Sequence, residues 1–212
     1  MLEKARYIVV EGPIGAGKTS LARRLADHLQ APILLEKPEE NPFLARFYQN
    51  MERYALPTQL CFLFQRIDQV RDVVQNDLFA QRLVSDFLLD KDPLFASLNL
   101  SDDEYNLYRQ IYLALKPQAP APDLVVYLQA EPDTLIERIR KRGVETEKRI
   151  GEAYLARVTD SYARFFYSYD AAPIFIVNAD QLDFVEDEEN FQLLLQRLYD
   201  MRSYREFFGY SQ

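Results

Sequence analysis

Residues Gly12 to Thr19 read GPIGAGKT, a complete match to G-x-x-x-x-G-K-[ST]. Each residue type there has a physical task. Gly12, Gly15 and Gly17 let backbone N–H groups curl around phosphate oxygens where a side chain would collide, and Pro13, Ile14 and Ala16 complete the loop. Lys18 reaches the β- and γ-phosphates, Thr19 offers its hydroxyl to Mg²⁺, and Ser20 lies in the first turn of a helix whose N-terminus favours anions. The competing interpretation is a ligand-free glycine-rich turn. An apolar run, Tyr7–Val10, precedes the loop and an amphipathic segment follows it, which favours a nucleoside-triphosphate site.

A second constellation is RIRKRGVETEKR, residues 138–149, where Arg138, Arg140, Lys141, Arg142, Lys148 and Arg149 crowd twelve positions. Arg138 and Arg142 stand four apart and share a helix face that ends at Gly143. Arginines closing over a transferring phosphoryl group stabilise its equatorial charge. A solvated, salt-bridged helix face is the plain alternative; the phosphate loop in the same chain favours a lid. Neither a D-x-x-G/N-K-x-D pair nor an LSGGQ-like stretch is present, which sets aside GTPase switches and transporter ATPases.

The elements that must hold these groups alternate strand and helix. Arg6–Val10, Pro32–Glu36, Leu83–Asp86, Asp123–Leu128 and Pro173–Val177 read as strands, apolar without alternation, as in a parallel sheet covered on both faces. Helices are expected over Thr19–Gln30, Asn41–Tyr54, Pro57–Phe79, Asp102–Leu115, Asp133–Lys141, Glu152–Tyr169 and Glu188–Arg202. Pro57 suits a first-turn position, and Ser101 with Glu104 forms a capping box. Lys116–Pro122 (KPQAPAP) is a proline-rich connector too short to separate domains. The expectation is one three-layer α/β domain over residues 1–212.

Composition narrows the chemistry. The chain has 33 acidic against 25 basic residues, so neither nucleic acid nor an anionic membrane is an expected partner. His28 and Cys61 are the sole histidine and cysteine, which nearly removes zinc sites and histidine-based triads. One cysteine, no long apolar run and no leader-like N-terminus point to the cytoplasm.

On GPIGAGKT, Glu36, PTQLCFLFQRID (Pro57–Asp68), DFLLDKDPLFA (Asp86–Ala96) and the arginine-rich segment, the chain resembles the deoxyribonucleoside kinase family, in a bacterial-type form similar to deoxyguanosine, deoxyadenosine and deoxycytidine kinases. The likeness runs from about Tyr7 to Asp187. It implies a P-loop fold with five parallel strands flanked by helices, a lid at about 138–150, ATP and Mg²⁺ as cofactors, and a homodimer. It also implies roles. Glu36 accepts the proton of the sugar 5′-hydroxyl, Thr19 and Asp86 hold Mg²⁺, and Arg138 and Arg142 close over the phosphates with Lys18. Gln59, Arg66 and Asp92 read the nucleobase, Tyr48 and Glu147 grip the sugar 3′-hydroxyl, and the loop Asn178–Phe184 wraps the donor adenine. Phe62 and Phe64 are expected in the core. Purine deoxyribonucleosides are favoured as substrates.

Three positions depart from the pattern. Phe87 and Leu88 stand where the family carries Arg and Ser, and Val144 where the lid often has a third arginine; Arg140 or Lys141 could replace its charge. A nucleoside monophosphate kinase of thymidylate type, and a nucleotide-dependent interaction protein without transfer chemistry, remain the alternatives. Glu36 discriminates against the first, because a monophosphate acceptor brings its own anionic nucleophile.

Overall fold

The computed structural model describes residues 1–75, 82–115 and 120–209. Its centre follows from strands that are apolar on both faces. In β1 (Tyr7–Glu11) every residue is buried: Ile8 and Val10 enter one core, Tyr7 and Val9 the other. In β4 (Leu124–Gln129), Leu124, Val126 and Leu128 face the first core, Val125 and Tyr127 the second. The first core is closed by α1 (Lys18–Leu29), α6 (Pro132–Arg142) and α8 (Glu188–Asp200); the second by α3 (Met51–Gln75), α4 (Asp92–Asn99) and α7 (Glu152–Tyr167). A smaller cluster seats Tyr108 and Tyr112 of α5 (Asp102–Leu115) against Leu63 and Ile67 of α3.

All strands pair in parallel, in the order β2-β3-β1-β4-β5-β6, with β2 at Ile33–Leu34, β3 at Leu83–Ser85, β5 at Ile174–Asn178 and β6 at Arg205–Phe208. The chain leaves central β1 for the far edge, returns through β3, then crosses to β4. Loops at the carboxyl ends of β1, β3 and β4 therefore splay apart into the crevice where such sheets take ligands.

Several expectations are corrected. The sheet has six strands rather than five, because Arg205–Phe208 pairs with β5. The second strand shrinks to two residues. The helix expected over Asn41–Tyr54 breaks into α2 (Leu44–Phe47) and the start of α3; Asn50 Oδ1 accepts the Arg53 N–H at 3.1 Å, a start signal inside the expected helix. Pro57 lies within α3 rather than in its first turn, so the bond that residue 57 would give the Arg53 carbonyl is missing. Packing holds the helix through this point: Ala55 and Thr58 are buried, and Asn41 Nδ2 donates to the Thr58 carbonyl at 3.1 Å. The part of the expected Pro57–Phe79 helix beyond Gln75, and Lys116–Ala119 of the connector, lie outside the described residues.

The capping box is present: Glu104 Oε2 accepts from Ser101 N at 3.0 Å and from Ser101 Oγ at 2.9 Å. Ser101→Ala should cost about 1 kcal/mol, read as a melting temperature lower by roughly 2–4 °C, with nucleoside turnover unaffected.

Candidate active site

The loop after β1 is shaped by contacts that only glycine permits. A Cβ at Gly12 would stand 2.6 Å from the Leu128 carbonyl oxygen of β4. One at Gly15, whose φ is +88°, would stand 2.9 Å from the Leu135 carbonyl of α6. Gly17 then leads into α1, so the helix N-terminus faces the loop's concavity. Lys18 Nζ donates to the Pro13 carbonyl at 3.2 Å. Burial, with the Lys91 ammonium nearby, lowers its pKa.

Three strand ends are tied together at this loop. Thr19 Oγ1 donates to Asp86 Oδ2 at 2.6 Å, and the Glu36 backbone N–H donates to Asp86 Oδ1 at 2.7 Å. Burial raises the Asp86 carboxyl against the lowering effect of these two hydrogen bonds.

Glu36 follows β2 with its side chain 21% exposed. Its Oε1 accepts Arg66 Nε at 2.9 Å and a second bond from Arg66 Nη2. Oε2 has no hydrogen-bond partner among the described residues. Burial alone would raise this carboxyl; the Arg66 guanidinium, then Lys91 and Lys18, override it and hold the pKa at about 2. Arg66 also pairs with Asp92, which is fully buried, so one guanidinium bridges the two carboxylates. Lys37 pairs with Glu40 at 3.0 Å and leaves Glu36 to the cleft.

Two cavities meet here. The first, about 870 Å³ and open to solvent, is lined by Ile14, Gly15, Lys18 and Thr19 on one side and by Glu36 and Asp86 at its head. Tyr48, Gln59, Phe62, Arg66, Lys91, Phe95, Arg142 and Glu147 are among the residues that line the remainder. Gln59 and Arg66, seven apart, lie on one face of α3 as their spacing requires. Tyr48 is half-buried, and its phenol is raised by loss of solvent, by Tyr154 and by the neighbouring Glu147 carboxylate. Glu147 pairs with Arg142. Asp92 stands behind Arg66 and does not reach the cavity surface. The second cavity is lined by Gly15, Ala16, Gly17 and Ser20 of the loop, by Arg138, Lys141 and Arg142 of α6, and by Leu182–Glu186. Arg138 Nη2 donates to the Ala179 carbonyl at 2.6 Å, joining α6 to the Asn178–Phe184 segment.

The three departures have local explanations. Phe87 and Leu88 are core residues, and the Leu88 N–H donates to Glu11 Oε1 at 2.8 Å. Val144 is 40% exposed, at the start of a 3₁₀ turn, Glu145–Arg149. Lys141, not Arg140, lines the second cavity. Phe62 and Phe64 are not core: Phe62 lines the first cavity beneath Arg66, 5.1 Å from the guanidinium carbon to its ring centroid, and Phe64 is 48% exposed. α3 turns its apolar stripe (Leu63, Ile67, Val70) elsewhere.

Sequence reading missed Glu11 and Lys91, both almost wholly buried and in contact at 2.8 Å. Eighty residues of separation hide the pair. Charged residues inside the apolar run Tyr7–Glu11 and inside DFLLDKDPLFA were the available signal, since buried charges need partners.

The chain is similar to known proteins over most of its length. A family model described as deoxynucleoside kinase matches residues 8–201. The chain is 33% identical over 196 residues to deoxyguanosine kinase of Bacillus subtilis, covering 90% of this chain and 95% of that protein. It is 32% identical over 195 residues to deoxyadenosine kinase of Lactobacillus acidophilus, covering 85% and 88%. Among solved structures, deoxyadenosine kinase from M. mycoides with dCMP and a flexible dCDP superposes with a TM-score of 0.79 at 28% identity, covering 92% of this chain and 100% of that one. Phosphate loop, strand-end carboxylates and family match converge: the chain belongs to the deoxynucleoside kinase family.

Proposed function

We propose that the protein transfers the γ-phosphoryl group of ATP to the 5′-hydroxyl of a purine deoxyribonucleoside, deoxyguanosine or deoxyadenosine, within one kinase domain over residues 1–212. The observation that carries this reading is the Glu36 carboxylate at the head of the first cavity, with Oε2 unengaged among the described residues. In this reading Glu36 Oε2 accepts the hydroxyl proton as the 5′-oxygen bonds to the γ-phosphorus and the bond to the β–γ bridging oxygen breaks, releasing ADP.

The first cavity takes the nucleoside. Gln59 and Arg66, braced by Asp92, present donors and an amide acceptor to the base. Tyr48 and Glu147 take the 3′-hydroxyl. The second cavity takes the donor, with its adenine against Leu182–Glu186. The amides of Gly12–Lys18 and the Lys18 ammonium hold the phosphates, and Arg138 and Arg142 close from α6, excluding water.

Thr19 Oγ1 and Asp86 Oδ2 are hard oxygen donors held 2.6 Å apart beside the loop. They suit Mg²⁺, which takes few protein ligands and completes its shell with water and phosphate oxygens. Bound there, the cation would neutralise charge on the β- and γ-phosphates. The purine preference is supported by the names of the two curated relatives. Exposed Phe64, Leu107 and Leu113 on α3 and α5 support a homodimer through those helices. A cytoplasmic enzyme fits the single cysteine; no helix among the described residues is long and apolar enough to cross a membrane.

The test is ADP release with Mg-ATP against the four deoxyribonucleosides and their monophosphates, with the product identified by mass. Turnover of deoxyguanosine or deoxyadenosine to the 5′-monophosphate, with monophosphates inert, is the expected result. Turnover of monophosphates alone would replace this reading with a monophosphate kinase and remove the role of Glu36.

A further inference from the structure

At the wall of the acceptor cavity lies a buried charge cluster that the proposed reaction does not yet use. Glu11, the last residue of β1, is fully buried. Its Oε2 accepts from the Gly12 N–H at 3.0 Å and from the Tyr162 hydroxyl at 3.2 Å. Its Oε1 accepts from the Leu88 N–H at 2.8 Å and meets Lys91 Nζ at 2.8 Å. The carboxylate is thus locked to the first glycine of the phosphate loop. Lys91 ends the 3₁₀ turn Leu89–Lys91, and its side chain is 2% exposed.

The ammonium does more than neutralise Glu11. It also lies 4.0 Å from Glu36 Oε1 and lines the first cavity. Lysine carries three donors, and Glu11 Oε1 accounts for only one. The other charged groups facing this point are Lys18 from α1, Arg66 from α3 and Asp86 after β3. At 4 Å and away from bulk water, the attraction between Lys91 and Glu36 is several times its value in solvent. Arg66 grips the same Glu36 oxygen, but in the proposed reaction Arg66 also faces the nucleobase. Lys91 is instead anchored to Glu11 at the root of the phosphate loop.

We propose that Lys91 is a positioning residue for phosphoryl transfer: tethered to Glu11 at the root of the phosphate loop, it fixes the Glu36 carboxylate in register with that loop. This rests on the assignment of Glu36 as proton acceptor. A misplacement of about 1 Å in such a group can cost on the order of a hundredfold in rate, so the tether carries catalytic weight through where it places Glu36.

The test compares wild type with Lys91→Arg, Lys91→Met and the double variant Glu11→Gln/Lys91→Met. Lys91→Met leaves Glu11 buried without its cation and can fail to fold. The double variant removes both charges, a change that buried pairs often tolerate. Folding is read by thermal melting, and kcat and KM for nucleoside and for ATP are measured on folded protein. The expected result is kcat reduced roughly tenfold to a hundredfold in the double variant, KM for ATP within about twofold, and most of kcat restored by Lys91→Arg. A folded double variant with wild-type kcat, or a loss seen only in KM, would overturn the positioning role and leave the kinase reading intact. Wild-type protein that phosphorylates no nucleoside would overturn that reading and the role of Lys91 with it.

Discussion

Glu36→Gln should lower kcat for the deoxyribonucleoside by about 10²–10⁴-fold, the usual contribution of a positioned acid or base, with KM changing only a few-fold. Glutamine keeps the size and one acceptor oxygen, so the cavity keeps its shape. What disappears, in the proposed reaction, is the proton acceptor for the attacking oxygen. Because Arg66, Lys91 and Lys18 hold the Glu36 carboxyl at about 2 against its burial, it is ionised throughout the neutral range. Therefore kcat/KM, which reports the free enzyme, should show no acid limb from Glu36 between about pH 5 and pH 8. Steady-state rates with product identified by mass check both statements. A variant that turns over at the wild-type rate would remove Glu36 from the mechanism while leaving the family assignment standing.

The largest stability effect is expected at Arg66. Arg66→Met takes the shared cation from fully buried Asp92 and mostly buried Glu36 at once. Removing one partner of a buried pair costs about 3–5 kcal/mol, which for a chain of this size lowers the melting temperature by roughly 6–20 °C. The pH dependence has a definite sign. Glu36 is depressed in the folded state, so its pairing stabilises the protein above the unfolded carboxylate pKa of about 4.3. That stabilisation is lost as pH falls toward the folded value of about 2. The melting difference between wild type and Arg66→Met should be full at neutral pH and shrink below about pH 4. A difference constant down to pH 3 would show that lost packing, not charge pairing, dominates. Nucleoside KM should rise as well, since the variant also loses its donors to the base.

What could be read from the sequence was what is contiguous or periodic. The phosphate loop is eight consecutive residues, and its neighbours in space are its neighbours in the chain. Gln59 and Arg66 come together because seven residues make two helical turns, and Arg138 and Arg142 because four make one. Asp102–Leu115 matched its helix to the residue because its capping box announces the start. What escaped depends on tertiary contact. Nothing local to Arg66 says that it holds Glu36 as well as Asp92. Glu11, Lys91 and Tyr162 come from β1, a turn after β3, and α7, and meet only once the sheet is assembled. Pro57 was misplaced because packing against Asn41 carries α3 past a residue that locally argues for a boundary. β6 was missed because its burial alternates between exposed and half-buried, a weak signal beside the apolar runs of the inner strands.

Among the described residues the two cavities share only Gly15 and Arg142, and this division bears on how such an enzyme can evolve. The outer wall of the first cavity is drawn from α2, α3, α4 and α7, and that of the second from α6 and the segment after β5. Under the proposed assignment, substitutions at Gln59, Phe62 or Phe95 would retune which acceptor is admitted without disturbing the loop assigned to the triphosphate. Acceptor choice and donor grip would then be open to selection separately.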